Sequence, residues 1–219
     1  MRSGLAVAIV GGVLLIIAPR APGDLIDVTA PGDPIWLVNG VNDGDGNSGP
    51  PPAAEGVEHA IDNVTQKYLN FLDLGSGFIV TPSSGTSWVT GLRFYTANDA
   101  EVRDPASFEF FGSNDVGTDP GAYLYSMIAS GPLALPAGRN PGGAIPIDAA
   151  AQFNQMVSFG NPTAYTTYKL VFPTLKDATS ANSMQIAEVE LLGMPIPEPG
   201  TAALVLAGLF AAGLRLRRR

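Results

Sequence analysis

Residues 96–115 read TANDAEVRDPASFEFFGSND, and this stretch of sequence decides the fold class. Its second half, ASFEFFGS, carries Phe108, Phe110 and Phe111 between an Asp-Pro pair and a Gly-Ser-Asn-Asp run. Aromatic residues are enriched in strands, whereas Gly, Pro, Asn and Asp interrupt them. The stretch therefore predicts a short β-strand that begins and ends in turns.

The chain on both sides repeats this pattern. Short segments rich in β-branched and aromatic residues alternate with Gly, Pro, Asn, Asp and Ser, and no long segment keeps a helical period. We predict seven or eight strands in about 150 residues, which is typical of an all-β fold, an antiparallel β-sandwich or jelly roll. The other predicted strands are SGFIVTP, SWVTGLRFYT, AYLYSMIASG, NQMVSFG, TTYKLVFP and MQIAEVELLG.

The predicted hydrophobic core follows from the apolar positions of these strands. In the last strand Met184, Val189 and Leu191 alternate with glutamine and glutamate, and the phase of the alternation slips near Ala187. Alternation indicates that one face of a strand is buried. The predicted core comprises Phe78, Val80, Leu92, Phe94, Phe108, Phe110, Leu170, Phe172, Ile186 and Val189.

Charge and composition exclude several functions. Between Pro22 and Pro197 the chain has six basic and nineteen acidic residues, a net charge of −13. A nucleic-acid-binding domain needs a basic face for the phosphate backbone, so we exclude nucleic acid as a partner. The chain has no cysteine, which excludes thiol catalysis and zinc–thiolate sites. Without disulfides, the domain depends on its core and on any ion that it binds.

The N-terminus has the layout of a secretory signal. Met1 and Arg2 are followed by an apolar run from Leu5 to Ala18. A charged start and an apolar middle of this length are typical of signal peptides. We predict a signal helix in a signal peptide at residues 1–21 and export of the chain. An uncleaved N-terminal anchor is the alternative.

The C-terminus carries a second targeting segment. Pro197, Glu198 and Pro199 precede an apolar run, and we predict a short membrane helix over residues 200–216. A helix of this length is marginal for a bilayer, and a basic end would hold the C-terminus in the cytoplasm. This basic end comprises Arg215, Arg217, Arg218 and Arg219.

These three parts, in this order, resemble the PEP-CTERM sorting signal of Gram-negative bacteria that make exopolysaccharide. The resemblance covers the last 23 residues and implies that a membrane protease of the exosortase type recognises the tail. It also implies a chain that is transiently anchored in the inner membrane and then placed at the cell surface or in the extracellular matrix. An ordinary tail anchor with a chance Pro-Glu-Pro is the alternative.

A leading strand and a loop are predicted for residues 22–56, between the signal peptide and the sandwich. Within the loop, Asp43, Asp45 and Asn47 imitate the first ligands of an EF-hand, but the positions that require glycine and the final glutamate do not fit. We interpret the loop as solvated. The predicted sandwich occupies residues 57–193, the whole domain about 24–193, and the sorting signal 194–219.

Three stretches together resemble the discoidin-like, galactose-binding-like β-sandwich family. They are HAIDNVTQKYLNF from His59 to Phe71, the opening stretch from Thr96 to Asp115, and NSMQIAEVELLG from Asn182 to Gly193. In that family an Ala-x-Asp turn, an Asp-Pro-x-x-aromatic strand followed by Gly-Ser-Asn-Asp, and a last strand with Ala-Glu occur in this order. The resemblance spans roughly residues 24–193.

The family resemblance implies a structural calcium ion. In many relatives the ion joins the Asp turn to the Glu of the last strand, and here Asp62 and Glu188 match these two carboxylates. Calcium takes six to eight oxygen ligands, so main-chain carbonyls complete the shell. The predicted companions are the carbonyls around Ala60, Val64 and Gln66 and the Thr65 hydroxyl. The alternative is that Asp62 caps its own turn and Glu188 is solvated.

The resemblance also implies carbohydrate binding, with an aromatic ring under the sugar and polar side chains on its hydroxyls. The ligand-binding candidates are Tyr95, Asn98, Asp99, Arg103, Trp36 and Tyr123. For Arg103 an internal ion pair with Asp104 is the alternative, and for Trp36 and Trp88 it is packing.

Catalysis has little support in the sequence. His59 is the only histidine, and no nucleophile elbow, metal-binding His pair or P-loop accompanies it. A carboxylate pair such as Glu109 and Glu188 could serve a glycosidase only at a suitable separation. We therefore predict a non-enzymatic, calcium-supported protein of the cell surface or exopolysaccharide matrix that binds carbohydrate. A structural matrix protein without a discrete ligand is the alternative.

Overall fold

The computed structural model describes residues 25–39, 51–72 and 74–196. The predicted signal peptide, the EF-hand-like part of the loop and the sorting motif with its membrane helix lie outside these residues. Within the described ranges, no helix is long and apolar enough to cross a bilayer.

The described part of the chain contains eleven strands, and all of their pairings are antiparallel. Each of the seven predicted strand segments overlaps one or more of them. β1 and β2 lie within residues 22–56, where a single leading strand was predicted, and the three-residue β3 was not predicted. The strands are β1 Ile26–Asp27, β2 Ile35–Val38, β3 Tyr68–Asn70, β4 Ser76–Val80, β5 Ser87–Tyr95, β6 Ser107–Ser113, β7 Ser126–Pro132, β8 Asn154–Ser158, β9 Thr167–Phe172, β10 Met184–Ile186 and β11 Glu188–Pro195.

Two large sheets form a sandwich. One has four strands in the order β1-β11-β5-β8, and the other has five in the order β2-β4-β9-β6-β7. The short pair β10-β3 forms a third, two-stranded sheet. Apart from β6 and β7, paired strands do not follow each other in the chain, so the fold depends largely on long-range pairing. The predicted all-β antiparallel sandwich is confirmed.

The hydrophobic core lies between the two large sheets. All ten predicted core residues are buried, each with at most 5% of its surface exposed. Phe94 of the four-stranded sheet contacts Phe108 and Phe172 of the five-stranded sheet, with ring centroids 5.7 and 6.3 Å apart. Such tilted aromatic contacts stabilise a core beyond the area that they bury.

The slip in alternation near Ala187 has a structural cause. The predicted last strand is in fact two strands, because β10 pairs with β3 whereas β11 pairs with β5. Ala187 lies between them, and its N–H donates to the Tyr95 carbonyl oxygen at 3.0 Å. The change of sheet places Glu188 opposite Tyr95 on the outer side of the four-stranded sheet.

Short 3-10 turns connect several strands. Val57–Ala60 precedes the Asp62 turn, Glu101–Arg103 follows β5, and Pro120–Ala122 lies in the β6–β7 connection. The last of these corrects the prediction of one strand over AYLYSMIASG, because Pro120 starts the turn and the Asp119 carboxylate accepts the Gly121 N–H at 3.0 Å.

Candidate functional site

The six predicted ligand-binding residues lie in two separate places. Tyr95, Asn98, Asp99 and Arg103 are at or after the end of β5, whereas Trp36 and Tyr123 meet beside the start of β9. Ser87, at the other end of β5, pairs with Tyr165 next to β9. The nine residues of β5 span roughly 26 Å, so the two groups mark opposite ends of the sandwich. The six residues therefore do not form a single site.

At the first of these ends, which we call the Glu188 end, Tyr95 cannot serve as a sugar platform. Its side chain is completely buried on the outer side of the four-stranded sheet, and burial raises the pKa of its phenol. Asp99 is engaged by Lys67, with 2.7 Å between Nζ and Oδ2. Asn98 is exposed, and Arg103 is partly exposed and has no side-chain partner among the described residues.

The alternative ion pair between Arg103 and Asp104 is wrong. The fully buried Asp104 carboxylate is held instead by Arg139 through two hydrogen bonds of 2.7 Å, and Lys176 lies 3.2 Å away. Arg139 follows Asp104 by 35 residues, so only the tertiary fold brings them together. Arg103 is left with an unpaired charge within the described part of the chain.

At the opposite end, Trp36 and Tyr123 line an open groove of about 510 Å³. We call it the Trp36 groove. Trp36 lies on edge strand β2 with 37% of its surface exposed, so it is not a core residue. Tyr123 comes from the β6–β7 loop, where its hydroxyl donates to the Gly117 carbonyl at 2.8 Å.

Polar groups surround these two rings. Thr81 and Thr167 hydroxyls are hydrogen-bonded to each other at 2.9 Å, and Thr118 and Thr166 also line the groove. Asp115 contributes a carboxylate, one oxygen of which accepts the Leu124 N–H at 2.7 Å. The groove thus combines an exposed aromatic surface with hydroxyl and carboxylate groups. Sequence reasoning found Trp36 and Tyr123 and quoted the FGSND motif that contains Asp115, but it assigned no role to that residue.

The predicted calcium ligands meet in part at the Glu188 end. The Asn63 N–H donates to Glu188 Oε2 at 3.0 Å, which joins the Asp62 turn to the start of β11. Asn63 has a positive φ of 61°, a conformation that asparagine tolerates better than most residues. Glu188 itself is completely buried, so the alternative of a solvated Glu188 is wrong.

Glu188 is a buried acid with an unsatisfied oxygen. Its Oε1 has no hydrogen-bond partner among the residues that the structure describes. Burial raises the pKa of this carboxyl well above its usual range, and the nearby Asp27 and Asp62 raise it further. Asp27, which sequence reasoning missed because a lone Asp after a short apolar run carries no signal, also has an unpartnered buried oxygen, Oδ2. Two such oxygens fit a bound cation, which would neutralise both carboxylates.

Asp62 and its companions are already engaged. Asp62 Oδ2 lies 2.6 Å from His59 Nδ1, and its Oδ1 accepts the Val64 N–H at 3.0 Å, so it does cap its own turn. The Thr65 hydroxyl donates to the Gly142 and Gly143 carbonyls at 3.0 Å.

The remaining predicted ligands are the main-chain carbonyls around Ala60, Val64 and Gln66. The Gln66 amide donates to the Ala54 carbonyl at 2.7 Å, and Ala60 is buried beside the turn. No group of three or more His, Cys, Asp or Glu side chains in the described residues is placed to hold a metal. A cation at Glu188 and Asp27 would therefore take its other ligands from main-chain carbonyls.

The two acids considered for glycosidase chemistry do not form a pair. Glu109 lies on β6, on the outer face of the five-stranded sheet, and Glu188 lies on β11, on the outer side of the other sheet. The whole thickness of the sandwich separates them, about 10 Å between sheet planes alone.

No protein-family model matches this sequence, and no curated protein does. Among solved structures, the third family 32 carbohydrate-binding module (CBM32-3) of a family 31 glycoside hydrolase from Clostridium perfringens aligns with a TM-score of 0.51 at 10% identity, over 82% of this chain and 100% of that one. The family 32 module of Clostridium perfringens NanJ, in complex with galactose, aligns with a TM-score of 0.48 at 13% identity. This alignment covers 73% of this chain and 92% of that one. The C-terminal domain of a Bacteroides fragilis chitobiase aligns with a TM-score of 0.48 at 14% identity, over 80% of this chain and 100% of that one.

The described domain therefore has the discoidin-like sandwich fold of the family 32 modules. At 10% identity this likeness concerns the fold and carries no assignment of a ligand.

Proposed function

We propose that this chain is an exported protein of the cell surface or exopolysaccharide matrix whose β-sandwich binds carbohydrate in the Trp36 groove. The observation that carries the proposal is the meeting of Trp36 and Tyr123, 87 residues apart, in one open groove among hydroxyl groups. A pyranose ring has an apolar face and a rim of hydroxyls. An exposed indole ring suits the face, and the threonines and Asp115 suit the rim.

Calcium supports this function from the other end of the domain. We propose that the ion binds the unpartnered Glu188 Oε1, with Asp27 and the Asp62 turn beside it. It would neutralise buried carboxylates and fix the start of β11 to the turn before β3. The ion lies far from the groove, so its contribution to sugar binding is structural.

The two termini determine the proposed localisation of the chain. We propose that the signal peptide exports the chain and that an exosortase-type protease recognises Pro197, Glu198 and Pro199. Two experiments in the producing cell test this localisation. Deletion of residues 197–219 should release the chain from the surface into the medium, and loss of the protease should leave it in the inner membrane. An unchanged distribution in both cases would refute sorting by the tail.

The binding proposal is tested with the full-length chain on a glycan array and on the exopolysaccharide of the producing cell. Trp36→Ala should weaken binding at least thirtyfold, the effect of about 2 kcal/mol expected for a central aromatic contact. Phe153→Ala is the matched control, because Phe153 is similarly exposed, at 47%, but precedes β8 at the Glu188 end. If the folded wild-type chain binds no glycan, the chain is a structural matrix protein instead. If Phe153→Ala alone abolishes binding, the groove is not the site.

A further inference from the structure

A row of mainly apolar side chains crosses the outer face of the five-stranded sheet. The strand registers pair Trp36 with Ile79, Ile79 with Lys169, Lys169 with Phe111 and Phe111 with Met127. Residues that pair in this way lie on the same face of a sheet. We call these five residues the outer row. At about 4.8 Å between strands, the row is roughly 19 Å long.

The outer row differs from an ordinary solvated sheet face. The outer face of an antiparallel sheet is normally polar, but this row has one charged residue among four apolar ones. Trp36 and Met127 remain 37% and 57% exposed, one on each edge strand. The row thus offers accessible apolar contacts at both ends, while Ile79 between Trp36 and Lys169 is buried, and one of those ends is the Trp36 groove.

Lys169, the centre of the row, has an unusual environment. Its ammonium lies 5.8 Å from the Phe111 ring centroid and 5.5 Å from that of Tyr125. Both distances fall within the range of cation–π contacts, which attract the charge without neutralising it. Tyr125 in turn lies 6.4 Å from Tyr123 of the groove. The ammonium is therefore connected to the groove through two aromatic rings.

Lys169 also stands out by its lack of an acidic partner. The described part of the chain contains six basic residues, and Lys67, Arg93, Arg139 and Lys176 each form an ion pair. Lys169 forms none there, and neither does Arg103, which lies at the other end of the sandwich. In a domain with a large excess of acids, a cation that is held by aromatic rings and left without a carboxylate has an open position for an anionic ligand.

We infer that the Trp36 groove continues along the outer row as a site for a glycan that carries a uronic acid, with the uronate carboxylate bound by Lys169. This inference rests on the proposed function and names its ligand class. Trp36 and the groove hold the neutral sugars, and the ammonium selects the acidic one.

The net charge of the domain limits how many acidic sugars a bound glycan can carry. With nineteen acidic and six basic residues between Pro22 and Pro197, the domain repels a uniformly charged polyanion. A single uronate among neutral sugars meets Lys169 locally, because repulsion from more distant carboxylates is screened beyond about 8–10 Å at moderate salt. The preferred glycan is therefore neutral along most of its length.

The inference is tested with pairs of oligosaccharides that differ only in one sugar, which is a uronic acid in one member and the corresponding neutral hexose in the other. Binding of the full-length chain to both members is measured at low and moderate salt. We expect the acidic member to bind about tenfold more tightly, as for a charge-assisted hydrogen bond, and the preference to shrink with added salt. Lys169→Gln should remove the preference and Lys169→Arg should retain it. Arg103→Gln removes an equally unpaired charge at the other end and should change nothing.

The outcomes separate the inference from the proposed function. If both members bind equally and Trp36→Ala still abolishes binding, the uronate inference is overturned and the groove proposal stands. If the acidic member is preferred but Lys169→Gln keeps that preference, the assignment to Lys169 is overturned. If neither member of any pair binds, the proposed function fails and the inference with it.

Discussion

Arg139 binds the buried carboxylate of Asp104 with two parallel hydrogen bonds of 2.7 Å, across 35 residues of chain. The pair joins the turn after β5 to the segment before β8, and Lys176 adds a third contact from the connection between β9 and β10. Three loops at the Glu188 end are thereby held by one acid. Because of these contacts, we expect replacement of Asp104 to reduce the stability of the Glu188 end more than replacement of any other residue there.

Asp104→Ala should lower the free energy of unfolding by about 3 to 5 kcal/mol, because it leaves the Arg139 charge partly buried without its partner. Urea denaturation followed by tryptophan fluorescence measures the change. Arg103→Ala is the control, because its side chain has no partner in the described residues, and it should cost no more than about 0.5 kcal/mol. Equal losses for the two variants would contradict the assigned pairing.

Gly77 should not tolerate a side chain. A Cβ at this position of β4 would lie 2.0 Å from the Leu170 carbonyl oxygen, a main-chain atom of the paired strand that cannot move without breaking the ladder. Gly77→Ala should therefore destabilise the fold by at least about 2 kcal/mol. At Gly160 an added Cβ meets nothing within 4 Å, and Gly160→Ala should be neutral. Thermal unfolding of the two variants distinguishes them, and a stable Gly77→Ala protein would show that the β4–β9 pairing is wrong.

The buried acids should make the metal-free protein less stable as the pH rises. Burial raises the pKa of Asp27 to about 6, so the folded state holds this proton more tightly than the unfolded state does. Its contribution to stability is present below about pH 4 and is lost as the pH rises through about 6. The loss amounts to about 2 to 3 kcal/mol. The raised pKa of Glu188 acts in the same direction.

Asp27→Asn tests this dependence because the amide keeps the acceptor oxygen for Thr29 and Leu191 and cannot ionise in this range. Relative to wild type, the variant should gain stability between pH 4.5 and pH 7.5 in the presence of a chelator. Urea titrations at several pH values measure the difference. Parallel pH profiles for the two proteins would rule out Asp27 as the titrating group.

Calcium should reverse the effect of pH by neutralising the same carboxylates. At calcium concentrations about a hundredfold above its dissociation constant, the unfolding free energy should rise by about 2.7 kcal/mol, and more at pH 7.5 than at pH 5. Glu188→Gln should abolish the calcium effect, whereas Glu109→Gln, on the outer face of the other sheet, should keep it. Calorimetric binding of calcium by the Glu188→Gln protein with unchanged affinity would refute Glu188 as a ligand.

The sequence determined those parts of this protein that depend on neighbours along the chain. Phe108 and Phe110 alternate with Glu109, Asp104-Pro105 precedes this strand, and Gly112-Ser113 ends it. The strand, its turns and its core positions could therefore be predicted from a few neighbouring residues. The ten core residues were identified in this way, because the two-residue period of a strand fixes which side chains share a face. The short strands β1, β2 and β3 lacked such a pattern, so their bounds could not be predicted beyond a leading strand somewhere in residues 22–56, and they form by pairing with distant segments.

Only the tertiary structure decided which residues meet. Asp104 pairs with Arg139 and not with its neighbour Arg103, and Tyr95 and Trp36 lie at opposite ends of the sandwich. Lys169 lies beside two aromatic rings and forms no ion pair within the described residues. The physical reason is that a charged or aromatic side chain could pair with any of several chemically similar residues in the sequence. The choice among them depends on how long-range strand pairing closes the intervening loops, which local periodicity does not encode.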